Sequence, residues 1–195
     1  MTCIYQLKIS IDGTNPPIWR RFLVEEGISF HKLHLIIQEI MGWENYHIYE
    51  FNINKLRISI PDNDWDDPKA IIDSKKTKVK DLVAKQKFLY TYDFGDCWEH
   101  TISVEEILPK DNNKIYLVCL EGKFACPPED CGSIPGYYHL LEVKKNKKHP
   151  EYKSLIKEWL GEEYDQNKLD IDDINRRLLK YIKTDGRTRY WEIRK

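Results

Sequence analysis

The sequence lacks three features that would each indicate a membrane partner, a secreted location or a nucleic-acid partner. It has no apolar run near the roughly 20 residues that a membrane-spanning helix needs. Residues 1–5 do not show the charged region followed by an apolar segment that marks a secretion signal. The 31 basic and 32 acidic residues nearly cancel, which removes the strongest reason to expect nucleic acid as a partner. We therefore expect a cytoplasmic protein with no membrane partner.

Familiar catalytic signatures are absent as well. The chain has no glycine-rich phosphate loop and no G-x-S-x-G nucleophile elbow. The tripeptide Asp93-Phe94-Gly95 matches the magnesium-binding tripeptide of kinases, but no strand lysine or catalytic-loop motif accompanies it. The motifs therefore name no reaction.

The apolar pattern predicts an α+β fold in a single domain over residues 1–195, because 41% of the residues are hydrophobic and can fill one core. Residues 3–11 alternate apolar and polar side chains, and a loop with Asp-Gly and Pro-Pro joins them to a second strand at 18–24 as a hairpin. Ser29 is expected to cap a helix over residues 30–41 that ends at Gly42. We predict a mixed or antiparallel sheet with further strands at 47–53, 56–60, 88–94, 98–104 and 115–120. Further helices are predicted at 79–84, 136–145, 151–160 and 171–182, concentrated in the C-terminal third.

The densest group of reactive side chains lies between residues 88 and 132. Residues 92–100 hold carboxylates and a histidine, and residues 119–132 hold cysteines and carboxylates. We expect these two segments to fold next to each other and to form the site. Clustered carboxylates with a histidine are what hard or borderline cations need. The candidate acid, base and ligand residues are Asp93, Asp96, Glu99, His100, Glu129 and Asp130.

His100 has two interpretations. Strand alternation places it with Trp98 on the apolar face, away from Cys97 and Glu99. A buried imidazole must be hydrogen-bonded or must coordinate something. It is therefore either a structural histidine or a metal ligand or general base that a carboxylate orients. Because alternation also separates Cys97 from His100, a nucleophilic Cys97 is disfavoured.

The cysteines also allow two interpretations. Their number is odd and no secretion signal is present, which argues for reduced thiols or metal ligands and against a disulfide framework. Cys119, Cys126 and Cys131 together with His100 would supply the four ligands of a zinc site. The chain has no Cys-x-x-Cys pair, so small buried thiols are the alternative.

Two further segments could bind ions. His31 and His34 lie three positions apart, on what we expect to be the polar side of the first helix, where they either meet a metal or a phosphate or form a solvated surface. The aspartate-rich segment 62–67, with Asp73 at the twelfth position, imitates the start of a calcium loop. It lacks the glycine at position six and the glutamate at position twelve, so a solvated acidic loop is the alternative.

The last residues mix basic and aromatic side chains, a combination that suits contact with a nucleic-acid backbone and stacking on bases. The alternative for residues 184–195 is an ordinary basic tail or a final edge strand. The side chains concerned are Arg187, Arg189, Tyr190, Trp191 and Arg194.

Several blocks, taken together, carry a family resemblance. They are Pro17-Ile18-Trp19-Arg20-Arg21, Leu33-His34 with Ile37-Gln38, Met41-Gly42-Trp43, Tyr92-Asp93-Phe94-Gly95-Asp96 with Trp98-Glu99-His100, and Ala125-Cys126-Pro127-Pro128-Glu129-Asp130 with Gly136-Tyr137. Over residues 5–178 the chain resembles the plasmid pRiA4b ORF-3-like family. The resemblance implies one compact α+β domain and no known reaction.

The chain departs from this family at two places. Tyr49 stands where the family tends to have a second histidine, two residues after His47, which weakens any metal site that needs that histidine. Cys131-Gly132-Ser133 stands where a glycine pair is common.

These observations favour a binding or interaction module for a protein or small ligand, without chemistry of its own. Trp19, Arg20, Arg21 and Trp98 are further candidate site residues. The alternative is a metal-dependent hydrolase or nuclease that uses the loops at 93–100 and 126–130 with zinc or another divalent cation. A nucleic-acid-associated protein is the third hypothesis.

Overall fold

An eight-stranded sheet organises the molecule. The computed structural model describes residues 3–61, 70–80, 82–111, 114, 116–161 and 163–182. Along the sheet the strands follow the order β5-β4-β3-β6-β7-β1-β2-β8, and every neighbouring pair is antiparallel except β4 with β5. The strands are β1 Cys3–Ile11, β2 Trp19–Glu25, β3 Tyr49–Ile53, β4 Leu56–Ser59, β5 Ile71–Asp73, β6 Lys87–Tyr92, β7 Trp98–Pro109 and β8 Val118–Lys123. The predicted α+β class with a mixed sheet is confirmed.

The first helix, α1 Phe30–Met41, begins and ends where the sequence predicts. The Ser29 hydroxyl accepts a hydrogen bond from the Lys32 N–H at 3.1 Å and so satisfies one of the free donors of the first turn. Gly42 adopts the left-handed conformation with φ 91°, which a side chain would disfavour, and its N–H closes the last turn on the Gln38 carbonyl. The apolar stripe of α1 packs into the core that the sheet forms.

The remaining helices lie in the C-terminal third, as predicted. The last of them is capped by Asp170, whose side chain accepts a hydrogen bond from the Asp173 N–H at 2.9 Å. The helices are α2 Ser133–Lys145, the π-helical α3 Tyr152–Leu160 and α4 Ile171–Leu178, followed by a 3₁₀ turn at Leu179–Tyr181. Of the helices in the described ranges, none is both long and apolar enough to cross a bilayer.

The structure corrects several boundaries. The described residues of 79–84 form no helix. Instead, the Val79 N–H donates to the carbonyl of Ile28, just before α1, at 2.7 Å. β5 was not predicted, since three residues are too few to show a period. β8 begins at Val118, so the described residues 116 and 117 of the predicted strand lie outside it, and α2 begins at Ser133 and not at Gly136. The acidic segment 62–67 and the tail 184–195 lie outside the described residues, so the hypotheses for them stay predictions.

Candidate functional site

The two reactive segments lie side by side at one edge of the molecule. The Gly132 N–H donates to Asp96 Oδ2 at 3.1 Å, and the Tyr92 hydroxyl donates to the Glu129 carboxylate. The side chain of Trp43 donates to the Pro127 carbonyl at 3.0 Å, which ties the second segment to the end of α1. The juxtaposition that the sequence predicts is therefore present.

Three side chains converge where these segments meet. His47 Nδ1 lies 3.6 Å from Asp93 Oδ1, and His47 Nε2 lies 3.0 Å from Asp130 Oδ1. One ligand atom from each residue lies within 4.8 Å of the other two. No other group of three or more histidine, cysteine, aspartate or glutamate side chains is this close in the part of the chain that the structure describes. We call these three residues the triad.

Strand pairing explains how two of the triad residues meet. His47 lies just before β3, and Asp93 directly follows β6. These strands are antiparallel neighbours with Tyr49 opposite Tyr92, so the start of one strand lies beside the end of the other. Asp130 approaches from the loop between β8 and α2.

The triad extends from the interior to the surface. Asp93 is buried, His47 is partly exposed, and the Asp130 side chain is 63% exposed. Asp93 Oδ1 accepts a hydrogen bond from the Gly95 N–H at 2.9 Å. His47 Nε2 is shielded from solvent and has no hydrogen-bond partner among the described residues, because Asp130 Oδ1 is near it but not aligned with it.

The backbone around the triad adopts conformations that most side chains avoid. Asp93, Cys97, Asp130 and Ser133 all have positive φ between 52° and 62°. Such residues each cost on the order of 1–3 kcal/mol and persist only where their surroundings hold them. All four lie in the two site loops, and Asn54, Lys55 and Lys85 adopt the same conformation in turns away from the site.

Glu129 forms hydrogen bonds to the segments that position the triad residues. Besides the Tyr92 hydroxyl, its carboxylate accepts the Glu44 N–H at 2.7 Å. Burial is the largest cause that raises the pKa of Tyr92 well above its ordinary value, and the hydrogen bond to the Glu129 carboxylate is the second. Tyr92 therefore stays a neutral donor. Glu129 thus fixes the positions of the chain before His47 and of the loop that carries Asp130.

A cleft of about 630 Å³ opens beside the triad, and His47 lies in its wall. The cleft runs between the first half of α1 and the β3-β4-β5 edge of the sheet. Its polar lining includes His31, His34, Asn45, Glu50 and Arg57, and its apolar lining includes Ile48, Ile60, Ile71 and Phe94.

The prediction that His34 lies on a polar helix face is wrong. His34 is 1% exposed, and its ring stacks on Tyr49 with 3.6 Å between ring centroids. Its Nε2 donates to Asn45 Oδ1 at 2.6 Å, so the Tyr90 hydroxyl donates to Nδ1 at 2.8 Å. Burial lowers the pKa of His34 to about 3 and keeps the ring neutral. His31 lies at the cleft, 2.9 Å from the Tyr49 hydroxyl, and burial also lowers its pKa.

His100 is sealed in the core. It is 0% exposed, and its Nδ1 lies 3.2 Å from the Tyr90 carbonyl. Burial lowers its pKa to about 4. Glu99 is exposed on the opposite face of the strand. The structure therefore does not bring His100 and Glu99 together with Asp93, and it favours the structural interpretation of His100. Asp96 accepts the Gly132 N–H beside the triad but is not one of the three converging ligands.

Of the two interpretations of the cysteines, the structure supports small buried thiols and not a zinc site. Cys119 is buried, Cys126 and Cys131 are partly buried, and within the described residues these thiols and His100 do not come within ligand distance as a set. Burial raises the pKa of Cys119 to about 11 and that of Cys131 to about 12, and it raises the pKa of Cys126 further. At these raised pKa values the three thiols are protonated near neutral pH. Their spacing along the chain did not decide their distance in space.

The tryptophan and arginine candidates lie elsewhere. Arg20 is buried and donates to the carbonyls of Ile40 at 3.0 Å and Lys123 at 3.0 Å, so it joins α1 to β8. Arg21 points to the other side of the sheet and pairs with Glu105 at 2.6 Å. Trp98 is buried in the core, and Trp19 lies beneath Lys8. None of these four residues lines the cleft.

The sequence reasoning missed His47 as a site residue. Asp93 and Asp130 were candidates, but the pairing of β3 with β6 that brings His47 to them joins segments far apart in the chain. The sequence holds one signal for His47. It begins the strand predicted at 47–53, and the comparison with the family already includes this position.

The fold and the triad define an α+β protein in which a histidine that contacts two aspartates lies in the wall of a cleft. The model of the family described as "Plasmid pRiA4b ORF-3-like protein" matches residues 3–173, and the chain belongs to this family. It is 34% identical over 178 residues to the "Uncharacterized protein y4hQ" of Sinorhizobium fredii, with 89% of each chain covered.

A solved structure shares the fold. The crystal structure of MM3350 from Methanosarcina mazei Go1, described as a protein of unknown function, has a TM-score of 0.79 and 39% sequence identity. The match covers 89% of this chain and 98% of that one. These relatives fix the family and the fold, and the triad has to be interpreted from its own chemistry.

Proposed function

We propose that this protein is a binding module that holds a first-row divalent cation at His47, Asp93 and Asp130 and uses it to bind a ligand in the adjacent cleft. The observation that carries the proposal is the convergence of three ligand atoms within 4.8 Å at a cleft wall. The shielded His47 Nε2, which has no hydrogen-bond partner among the described residues, supports it because a cation would supply the missing interaction.

The donor set indicates which cations fit. Imidazole suits zinc, iron, nickel and copper, whereas sites for magnesium and calcium are built from oxygen ligands. Carboxylates also suit manganese, so one imidazole with two carboxylates favours zinc, iron or manganese in the divalent state. Three protein ligands also leave coordination positions for water or a ligand.

The surroundings of the triad suit a bound cation. The Gly95 N–H orients the carboxylate of Asp93, and Glu129 holds the two loops through Tyr92 and the Glu44 N–H. Such outer contacts orient metal ligands and typically contribute about 10–100-fold in metal affinity. We infer that Glu129 has this positioning role.

The direct test is calorimetric titration of the full chain with zinc. We expect one zinc per chain, and an affinity lowered by roughly 100-fold or more in His47→Ala and Asp93→Ala. His139→Ala is the matched control, because His139 is an exposed histidine bonded to Glu151 outside the cleft. Wild-type affinity in both triad variants would contradict the proposal, as would a loss of zinc in Cys126→Ser with the triad variants unaffected.

A second candidate function is hydrolysis at the same cation. The observation that favours it is the exposure of Asp130, which leaves the outer side of the triad open to water. A cation with three protein ligands lowers the pKa of bound water and creates a nucleophile near neutral pH. Zinc- or manganese-dependent cleavage of p-nitrophenyl acetate or bis-p-nitrophenyl phosphate, lost in Asp93→Ala, would establish a hydrolase. Zinc binding without turnover of these esters would support the binding module and contradict the hydrolase.

A further inference from the structure

We propose that a second cleft binds a small phosphorylated molecule that carries at least two negative charges. This cleft lies between the start of α1, the β3-β4 hairpin and the residues that follow β5. Three lysines line it, Lys76, Lys78 and Lys80, and we call it the lysine cleft. The proposal is independent of the cation site, because no triad residue lines the lysine cleft.

Strand β4 separates the two clefts. Arg57 and Ser59 line the cleft beside the triad, whereas Leu56 and Ile58 line the lysine cleft. Successive side chains of a strand point to opposite faces, so the two clefts lie on different faces of the same strand. The lysine cleft is therefore a site of its own and not an extension of the first.

The lysine cleft carries charge of one sign. In the described part of the chain no acidic residue lines it. Among the described residues Lys78 and Lys80 form no ion pair, and Lys76 pairs with Asp73 at 3.2 Å, which does not line the cleft. The whole chain has a net charge of −1, so this excess of positive charge is local.

Other concave surfaces of the molecule balance their charges. The cleft beside the triad contains Arg57 paired with Glu50 at 2.7 Å, and the pocket beside α2 contains Lys145 together with Glu142. The comparison distinguishes the lysine cleft from a surface that merely contains charged residues.

Apolar walls strengthen the attraction for an anion. The buried side chains of Phe30, Ile58 and Leu82 also line the lysine cleft. A cleft with one sign of charge and walls of low dielectric constant focuses the electric field and concentrates counter-ions. A compact anion with two or more charges benefits most from such a field, because each of its charges interacts with the lysines.

The size and the neutral donors of the cleft indicate phosphate chemistry. Its volume of about 460 Å³ lies within the roughly 300–1,000 Å³ typical of sites for small ligands. Asn54, Thr77 and Gln86 line it and add side-chain donors. The Val83 N–H donates to Gln86 Oε1 at 3.0 Å, which leaves the amide N–H groups of Gln86 as donors. A phosphate group offers multiple charges and several strong acceptor oxygens, and it therefore matches lysines combined with neutral donors.

The experiment is a calorimetric titration of the full chain with inorganic pyrophosphate. The protein is first freed of metal and then dialysed free of chelator, so that no cation at the triad contributes to binding. We expect one pyrophosphate per chain and weaker binding as sodium chloride is added. The double variant Lys78→Gln/Lys80→Gln should bind at least about tenfold more weakly.

The matched control is Lys147→Gln/Lys148→Gln. These two lysines are exposed in another basic run of the chain and do not line the lysine cleft. Their replacement should leave pyrophosphate affinity unchanged. Substitutions of exposed lysines should alter folding little, and equal urea midpoints of both double variants and wild type would verify this.

A second measurement locates the ligand. In NMR spectra of the full chain, pyrophosphate should shift the side-chain N–H signals of Gln86. The side-chain signals of Gln166, which lines the pocket beside α2, should stay unchanged.

Three results would overturn the proposal. The first is an absence of pyrophosphate binding at low salt. The second is an equal loss of affinity in the two double variants, which would show a general effect of positive charge. The third is tighter binding of hexaglutamate than of pyrophosphate, which would make the ligand an acidic peptide.

Discussion

The molecule holds histidines in two contrasting surroundings, which lie only one layer of side chains apart. The inner group contains His34, Gln38, Tyr90 and His100, all of which are buried. Its imidazoles meet only neutral partners, such as the Tyr90 hydroxyl, an amide and a carbonyl. In the triad, by contrast, His47 meets two carboxylates at the wall of an open cleft.

The contrast shows that the partners of a histidine, and not its presence, separate a structural role from a binding role. Burial without charge holds His34 and His100 neutral. Both ring nitrogens of His34 are hydrogen-bonded in the core, whereas His100 is bonded through Nδ1 and its buried Nε2 has no hydrogen-bond partner among the described residues. Carboxylates beside His47 provide the negative charge that a cation needs. Four predictions test this distinction between the inner group and the triad.

The largest effect is expected on acidification, through the inner group. The pKa of His34 is about 3 and that of His100 about 4 in the folded chain, against an ordinary value near 6.5. As the pH falls from about 6.5 to 4, the unfolded chain takes up protons that the folded chain refuses, so the free energy of unfolding decreases. The decrease should be on the order of 3 kcal/mol for His100 alone.

Urea unfolding of wild type and His100→Gln at pH 7 and pH 4 measures this effect. The variant no longer titrates at that position, so it should lose less stability on acidification than the wild type. His139→Gln is the control, because His139 is exposed. An equal loss in wild type and His100→Gln would show that His100 is not held neutral.

The next effect is expected on addition of a cation, through the triad. Zinc that binds only the folded chain should raise the free energy of unfolding by about 2.7 kcal/mol at a concentration 100 times its Kd. The increase should vanish in His47→Ala and persist in His100→Gln. Urea midpoints with and without zinc provide the measurement, and an equal increase in His47→Ala would place the cation elsewhere.

A smaller effect is expected when the inner group loses one hydroxyl. Tyr90→Phe leaves His34 Nδ1 and the Gln38 side-chain N–H without their partner, at a cost of about 1–3 kcal/mol. Zinc affinity should stay unchanged, because Tyr90 is not part of the triad. Tyr46→Phe is the control at an exposed tyrosine. A large loss of zinc affinity in Tyr90→Phe would mean that the two groups act as one.

The smallest effect is expected for the triad histidine in the absence of a cation. His47→Ala should change the free energy of unfolding by less than about 1 kcal/mol, because the ring is partly exposed and its Nε2 has no hydrogen bond to lose. Denaturation in the presence of a chelator checks this. A loss as large as that in Tyr90→Phe would make His47 a structural residue.

Local patterns predicted much of the fold. The strand Cys3–Ile11 and the helix Phe30–Met41 were found because period-two alternation and a capped apolar stripe are local properties of the chain. The same stripe held an unused signal, because His34 lies four residues after Phe30 and three before Ile37 and therefore belongs to the buried face. The polar side chain of His34 favours a solvated helix face, whereas its position in the stripe favours burial. The prediction from polarity is therefore wrong for His34.

The site was predictable only in part. Asp93 and Asp130 were candidates because carboxylates cluster in their two loops, and the contact between those loops was expected. His47 was missed because the β3-β6 pairing is a long-range property that no local pattern specifies. For the thiols the sequence allows a zinc site or small buried thiols, and the structure supports the buried thiols, because spacing along the chain does not ensure convergence in space.

The most direct measurement of the central claim is anomalous diffraction from a zinc-soaked crystal of this protein, recorded on both sides of the zinc absorption edge. The account predicts one strong zinc peak within bonding distance of His47, Asp93 and Asp130, with a further position facing the cleft. A zinc peak at Cys119, Cys126 or Cys131, or no peak at the triad, would contradict it.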